Sequence, residues 1–256
     1  MIRMPLTMPI FDANGRTRSA VTPLVVSHPG NGHGNSAPGD QRLQAIHGLQ
    51  QAGHTHSYRK GATLFLEGDS ARGVFLLTSG QAKVSICSAD GRKVIMRIAG
   101  PESILGLYAA LSGRPYEATA EMVEAGGVIF VPRRDLLELI AYHPWFGRSL
   151  VEVFSSQFSE LIDNARLRLL SESAPERLAR LILKWGRDFG ELTSNGVRLK
   201  VLLTQEEIAQ IIGASRETVT RLFSALKRRQ IIRVRGHELI IRNSDALASV
   251  AESSRG

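Results

Sequence analysis

The segment 203–223 constrains the fold most strongly, because it predicts two short helices that cross at a tight turn. Thr204 and Glu207 have the spacing of a capping box, which starts the first helix. Gly213 stands where the chain must turn sharply, and glycine adopts the left-handed conformation there at low cost. Ser215 then caps the second helix. This is the helix-turn-helix pattern, whose second helix enters the major groove of DNA.

The start of the second helix carries polar side chains suited to reading base edges. Positions 216, 217, 220 and 221 share one helical face. Arginine donates two hydrogen bonds to guanine O6 and N7, and glutamate accepts one from cytosine N4. We therefore expect base contacts from Arg216, Glu217, Thr220 and Arg221. Hydroxyl groups near helix N-termini and a nearby arginine suit DNA phosphates. The expected phosphate contacts are Thr204, Gln205, Ser215, Thr218 and Arg235.

A basic C-terminal third supports binding to a polyanion. The chain carries 32 Lys and Arg against 24 Asp and Glu, a net charge of +8. Residues 174–256 hold 15 of these cations and 9 of the anions, so +6 of the excess lies there. Two apolar runs, 231–234 and 239–242, flank Arg235-Gly236-His237 and predict a β-hairpin wing after the two helices.

Glycines that punctuate short apolar runs predict a different domain upstream. The runs are 64–66, 74–77, 84–86, 94–98 and 128–131. Asp90-Gly91 between two of them is a hairpin signal, because a type I′ turn needs positive φ. Many short strands with regular turns predict an antiparallel β-barrel or jelly roll. A short helix is expected before it, from Asp40, with Leu43, Ile46 and Leu49 on one face.

A long helix is expected between the two domains. Apolar residues recur there with spacings of 3, 4, 3 and 4, the pattern of an a/d seam, and Arg168 breaks it. Such a stripe packs either against its own barrel or against a second copy of the chain, and the position between two domains favours a homodimer. The stripe comprises Val151, Phe154, Phe158, Leu161 and Ala165. After the long helix, a new helix start is predicted from Ser173, Pro175 and Glu176.

The resulting fold class is α+β. The expected parts are a disordered tail at 1–40, the barrel at 41–144, the dimerisation helix at 145–172, the winged helix-turn-helix at 173–246 and a tail at 247–256. No run of about 18 apolar residues and no signal peptide is evident, so a cytoplasmic protein without a membrane partner is expected.

Together, Ser215–Arg221, the wing and the upstream barrel resemble the CRP/FNR family of bacterial transcription regulators over roughly residues 41–245. Ser-Arg-Glu-Thr-Val-x-Arg is the recognition-helix signature of its cyclic-AMP receptor branch. The resemblance implies that Arg216, Glu217 and Arg221 read a palindrome like TGTGA-N6-TCACA. It also implies a homodimer with the long helix at its centre, and RNA polymerase as a partner.

The same resemblance predicts that the barrel does not bind cyclic AMP in the usual mode. The family's phosphate cassette, Gly-Glu and then Pro-Arg-x-Ala-Thr, corresponds here to Gly106, Leu107 and the segment 115–119. Leu107 replaces the ribose-binding Glu, and Tyr116 replaces the phosphate-binding Arg. Glu117 adds a carboxylate that would repel a phosphate. The adenine-contacting pair falls near Glu160-Leu161. The remaining members of this degenerate pocket are Arg114, Ala118 and Thr119, and Arg114 or Arg97 is the alternative anion partner.

We expect no metal or cofactor. One cysteine excludes a four-cysteine iron–sulfur cluster within the chain. Heme stays open as an alternative. Cys87, in a strand-like segment, is expected to be a buried small hydrophobe rather than a redox switch. The candidate heme ligands are His47, His54, His56 and His143.

Two other functions are alternatives to that of a DNA-binding regulator. His54-x-His56 resembles half of a cupin metal motif, but Arg59 and Lys60 stand where its Glu is required, so an enzyme is not expected. The second alternative is a ligand-sensing interaction module with no essential DNA readout, which the intact Arg216, Glu217 and Arg221 argue against.

Overall fold

Helices and strands fall into two groups joined by one long helix. The computed structural model describes residues 38–88, 91, 93–169 and 173–252, with the backbone alone for 38–41 and 163–169. The first group is α1 (Pro38–Ala52), β1 (His54–Tyr58), β2 (Thr63–Phe65), β3 (Gly73–Leu77), β4 (Ala82–Cys87), β5 (Lys93–Ala99), β6 (Ile104–Leu105), α2 (Leu107–Ser112), β7 (Thr119–Met122), β8 (Gly126–Pro132) and α3 (Arg133–Tyr142). The long helix is α4 (Pro144–Leu169). The second group is α5 (Ala174–Phe189), β9 (Glu191–Thr193), β10 (Gly196–Lys200), α6 (Gln205–Ile212), α7 (Arg216–Arg228), β11 (Ile232–Arg235), β12 (Glu238–Ile241) and α8 (Ser244–Ala251).

The glycine-punctuated region folds into two antiparallel sheets, which we call the barrel. Their strand orders are β1-β8-β3-β6 and β2-β7-β4-β5. Both sheets contribute side chains to one hydrophobic cluster, which includes Phe65, Phe75, Ala82, Met122 and Val128. The predicted hairpin is confirmed: β4 and β5 pair from Ala82↔Ala99 to Cys87↔Lys93, and Gly91 takes a φ of 78°. Asp90 lies outside the described residues.

The helix before the barrel packs on α4, although its buried face differs from the prediction. Ile46 and Leu49 are buried as expected, but Leu43 is 56% exposed, and Ala45 is buried in its place. A Cβ on Gly48 would lie 2.7 Å from the Phe146 ring, so α1 and α4 approach closely there. The predicted tail at 1–40 lies outside the described residues, except that Pro38–Asp40 already belong to α1.

The long helix buries one side and exposes the other. Phe146, Leu150 and Val153 are buried against α1, α3 and the barrel. The apolar stripe faces away from them, with Val151 63%, Phe154 37%, Phe158 56% and Leu161 45% exposed. The Ala165 side chain lies outside the described residues. In a single chain, the described length of this stripe is therefore largely uncovered, except that the Phe154 ring lies beside Tyr108 of α2, with centroids 6.5 Å apart.

The C-terminal domain, α5 to α8, has its own hydrophobic core. The expected capping box of Ser173 and Glu176 starts α5, and the wing strands β11 and β12 pair antiparallel. Strands β9 and β10 extend that sheet in the order β11-β12-β10-β9. These two strands were not predicted from the sequence, although Asn195-Gly196 is a turn signal.

The predicted C-terminal tail at 247–256 is wrong for its first residues. Helix α8 continues to Ala251, and Leu247 and Ala251 are buried in the C-terminal core. Asn243 starts the helix, because its side-chain oxygen accepts a 2.8 Å hydrogen bond from the Ala246 N–H. The helix contacts α5, where the Arg180 side chain donates to the Ala251 carbonyl at 3.0 Å. Within the described ranges, no helix combines the length and the apolar character that crossing a membrane requires.

Replacing Phe146 should reveal how much the α1–α4 contact stabilises the barrel. The ring is fully buried, so Phe146→Ala leaves a cavity and should lower the free energy of unfolding by about 3–5 kcal/mol. Tyr142→Ala, at a 78% exposed position nearby, is the control and should change it by less than about 0.5 kcal/mol. Urea denaturation at one fixed protein concentration measures both values. Equal effects of the two variants would contradict this packing.

Candidate nucleic-acid interface and barrel pocket

The two predicted short helices are α6 and α7, and the turn between them has the expected geometry. Gly213 adopts φ 63° and ψ 49°, which is the left-handed region. Ala209 and Ile212 of α6 are buried with Val219 of α7, so the helices cross closely on an apolar contact. Sequence reasoning therefore identified this unit correctly from local signals.

Both helix starts are capped by the side chains expected there. The Thr204 hydroxyl accepts a 3.2 Å hydrogen bond from the Glu207 N–H, and Glu207 Oε2 accepts one from the Thr204 N–H at 2.9 Å. The Ser215 hydroxyl accepts from the Thr218 N–H at 3.2 Å. These bonds fix where α6 and α7 begin, and they place Thr204, Ser215 and Thr218 at the two N-termini.

Arg216, Glu217, Thr220 and Arg221 are all exposed on one side of α7, and we call them the reading face. The Glu217 carboxyl accepts hydrogen bonds from its own backbone N–H and from the Ser215 side chain, which lower its pKa. It is thus ionised at neutral pH and can act as a hydrogen-bond acceptor. The reading face is therefore an exposed, charged surface at the start of α7.

Thr220 and Gln205, predicted for a base and a phosphate, contact each other in the protein without DNA. The Thr220 Oγ1 lies at short hydrogen-bond distance from Gln205 Oε1, and 2.9 Å from the Arg216 carbonyl oxygen. Sequence reasoning did not anticipate this link between α6 and α7. Arg235 is exposed at the end of β11, next to the wing turn at Gly236.

In the barrel, two positions of the predicted effector pocket are occupied by core side chains. Gly106, with φ 73°, starts α2, and Leu107 directly after it is buried with 1% exposure. Tyr116 is 4% exposed, and its ring stacks on Phe65 with centroids 4.1 Å apart. A Cβ on Gly106 would lie 2.7 Å from the Tyr116 ring. The aromatic ring therefore fills the space beside Gly106.

The Tyr116 hydroxyl is also fully engaged. It donates to the Gly73 carbonyl at 2.8 Å and accepts from the Gly73 N–H at 3.3 Å. Burial raises the pKa of this phenol, so it stays neutral. A neutral ring held in this way offers no positive charge to a phosphate, so these residues do not fit a cyclic nucleotide bound through this cassette.

The other predicted pocket residues do not form a cationic site either. Glu117 is exposed, and Ala118 is buried. Arg114 is exposed, with its Nη1 3.5 Å from the Tyr108 hydroxyl. The Thr119 hydroxyl accepts a 3.0 Å bond from the Glu67 N–H.

The position expected to contact adenine is instead part of an ion-pair cluster. Glu160 Oε2 lies 3.9 Å from Arg97 Nη1 of β5, and Glu160 Oε1 pairs closely with Lys184 of α5. Burial lowers the pKa of Arg97, while Glu160 opposes that shift. Arg97, the alternative anion partner, is thus already paired with a carboxylate.

Cys87 is exposed, so the expectation that it is buried is wrong. It is the last residue of β4, next to the hairpin turn, and a bulge between Val84 and Ser85 shifts the register before it. Ser85 takes the buried position instead. Among the described residues, no three His, Cys, Asp or Glu side chains are grouped so that they could hold a metal ion.

Comparison with known families matches both domains. Residues 55–143 match the family described as "Cyclic nucleotide-binding domain", and residues 176–250 match "Crp-like helix-turn-helix domain". The "CRP-like cAMP-activated global transcriptional regulator" of Mycobacterium tuberculosis is 29% identical over 191 residues, covering 75% of this chain and 85% of the relative. The "Transcriptional activator protein FnrA" of Stutzerimonas stutzeri is 27% identical, covering 75% and 78%.

Solved structures have the same arrangement of domains. FixK2 from Bradyrhizobium japonicum superposes with a TM-score of 0.70 at 24% identity, covering 77% of this chain and 96% of that one. At this identity, the similarity supports the fold.

Proposed function

Because the chain belongs to the CRP/FNR family of transcription regulators, we propose that it binds a palindromic site like TGTGA-N6-TCACA as a homodimer. DNA binding through the helix-turn-helix, and the absence of an enzymatic activity, follow from the family itself. The reading face on α7 is the observation that supports the proposed site: its side chains are exposed together at the start of a capped helix.

Each half-site is read by three charged side chains in this proposal. Arg216 and Arg221 donate to guanine O6 and N7, and the ionised Glu217 accepts from cytosine N4. Thr220 contributes at the same face. Phosphates are held at the N-termini of α6 and α7 and by the wing, which fixes the register on DNA without reading it. The proposed phosphate contacts are Thr204, Gln205, Ser215, Thr218 and Arg235.

The exposed stripe of α4 supports the dimer. Two copies that pack these stripes together bury four large apolar side chains each, and a two-fold axis matches the palindrome. Two symmetric reading helices then reach half-sites about one helical turn apart. The chain thereby covers a surface that it cannot cover alone.

The barrel, in our proposal, does not use cyclic AMP in the usual mode. The name of the Mycobacterium relative attributes activation by cAMP to that protein. In this chain, Leu107 and the Tyr116 ring are core side chains, and Arg97 is paired with Glu160, so the cassette offers neither the room nor the phosphate-binding cation of the usual mode. We propose that no cofactor is needed, and that heme is not bound.

Further partners follow from the regulator's role. Together with DNA and a second copy, RNA polymerase is the third partner we propose, and the position of the site relative to a promoter decides between activation and repression. These partners place the protein in the cytoplasm.

DNA binding by purified protein without effector tests the proposed readout. Wild-type protein should bind the TGTGA-N6-TCACA duplex more tightly than a scrambled one. Arg216→Ala and Arg221→Ala should each weaken DNA binding by about 1–3 kcal/mol per lost base contact. Each variant should also lose the preference for the TGTGA-N6-TCACA duplex over the scrambled one. Arg134→Ala, in α3 with a 67% exposed side chain, is the matched control and should bind like wild type. Fluorescence anisotropy at several salt concentrations measures all four proteins.

Two other results would count against this readout. DNA binding that is retained at full strength after both substitutions would support the alternative of an interaction module with no essential DNA readout. If wild type itself shows no preference, the half-site assignment fails. Random-sequence selection with and without candidate ligands then identifies what is read.

A charge in the α4 stripe should separate the dimer. Phe158→Glu places a carboxylate in the proposed apolar interface, where its desolvation is unfavourable, so the variant should sediment as a monomer where wild type is a dimer. Leu192→Glu, at an 88% exposed position in the C-terminal domain, is the control and should remain dimeric. Analytical ultracentrifugation distinguishes the two states, and a dimeric Phe158→Glu variant would refute this interface.

Cyclic AMP should leave the protein's thermal stability unchanged. A ligand present at 100 times its Kd stabilises the folded state by about 2.7 kcal/mol, which a thermal unfolding curve detects readily. Titration calorimetry provides the direct measurement and should show no binding heat. Sub-micromolar binding would overturn this proposal, and its loss in Arg114→Ala would identify Arg114 as the alternative anion partner.

A further inference from the structure

Lys83 of the barrel contacts the helix-turn-helix, 124 positions along the chain. Its Nζ lies 2.8 Å from Glu207 Oε1 of α6 and 2.9 Å from Glu121 Oε1 of β7. The Lys83 side chain is only 12% exposed. Although burial lowers its pKa, the bonds to the two carboxylates raise it above the ordinary value. The ammonium group is therefore charged and held between the two domains.

Glu207 uses its two oxygens for different tasks. Oε1 faces Lys83, while Oε2 accepts from the Thr204 N–H at 2.9 Å and from the Thr204 hydroxyl at 3.0 Å. Burial raises the pKa of Glu207, but Lys83 and Thr204 together hold it below its usual range. One carboxylate thus connects the barrel to the N-cap of α6, where a phosphate contact is proposed.

Other contacts between the domains lie around this bridge. A Cβ on Gly100, which follows β5, would lie 2.7 Å from the Phe189 ring of α5. Lys200 Nζ of β10 lies 2.6 Å from Glu124 Oε1, just after β7. The Glu160–Lys184 pair joins α4 to α5. The reading face is exposed, so this docking does not cover it.

We propose that Lys83 is a positioning residue for DNA recognition, which holds α6 through Glu207 and so fixes the orientation of the reading face relative to the barrel and α4. The inference rests on the proposed dimer. Binding one half-site needs only an intact α7, whereas binding both at once needs two reading faces at a defined separation. A loosened C-terminal domain therefore loses affinity for the palindrome and keeps affinity for the half-site.

Substitutions that remove the charge and keep the helix cap provide the test. Lys83→Met removes the ammonium, and Glu207→Gln removes the negative charge but still supports a capping box. Each should weaken binding to a wild-type-selected palindrome by about fivefold or more, with little change on a single half-site. The double variant should be no weaker than either single one, because both remove the same interaction. Lys83→Arg should restore binding.

Lys93→Met is the matched control. Lys93 Nζ lies 3.5 Å from Glu121 Oε2 in the same sheet, and no hydrogen bond or ion pair to Glu207 is found among the described residues. It should bind both duplexes like wild type. Tighter DNA binding by Lys83→Met would mean that the Lys83–Glu207 bridge holds the C-terminal domain in an orientation that disfavours DNA binding. Equal weakening on both duplexes would mean a folding role, and either result overturns the proposal.

A measurement without DNA keeps this inference separate from the proposed site. Spin labels on the exposed native Cys87 and on Leu192→Cys report the distance between the barrel and the C-terminal domain. Labelled chains are diluted with unlabelled ones so that one chain is observed. The distance distribution should be narrow in otherwise wild-type protein and with Lys93→Met, and broad with Lys83→Met or Glu207→Gln. A narrow distribution in the last two would overturn the proposal even if the TGTGA site is correct.

Discussion

The packing of α4 against α1 and the barrel is the contact on which the rest of the structure depends. One side of this helix is buried through Phe146, Leu150 and Val153. The absence of a side chain at Gly48 lets α1 approach that side closely. Because this side of α4 packs inward, the apolar stripe on its opposite side is left exposed. Glu160, on the same helix, forms ion pairs with Arg97 of the barrel and with Lys184 of the C-terminal domain. One buried face thus determines where the other functional elements lie.

Features specified by neighbouring residues could be predicted from the sequence. The two caps, the left-handed Gly213 and the spacing of Arg216, Glu217 and Arg221 act within one or two helical turns, so the helix-turn-helix was predicted correctly. The β4–β5 hairpin followed from Gly91 in the same way. These elements are specified by local backbone preferences and hydrogen bonds.

Features that depend on distant partners were not predicted. Leu43 matches a helical pattern, but which face α1 buries depends on where α4 lies. Cys87 directly follows the apolar run 84–86, yet the bulge in β4 and the end of the strand leave it exposed. Residues 247–251 look like a tail until the core around α5 is assembled. The contact of Lys83 with Glu207 has no signal in the sequence, since 124 positions separate the partners and the capping box that contains Glu207 does not point to Lys83.

The Tyr116 ring restricts the mutational routes to a phosphate site beside Gly106. Opening room beside Gly106 requires removing the Tyr116 ring, and with it the stacking on Phe65 and two hydrogen bonds to Gly73. Truncating a buried aromatic residue costs about 3–5 kcal/mol, a large share of the roughly 5–15 kcal/mol that keeps a domain folded. Binding in the usual mode would also require a ribose-binding Glu at the position where Leu107 is buried. Tyr116→Arg would supply room and a cation but not this Glu, so no single substitution completes the cassette, and the first intermediate is less stable.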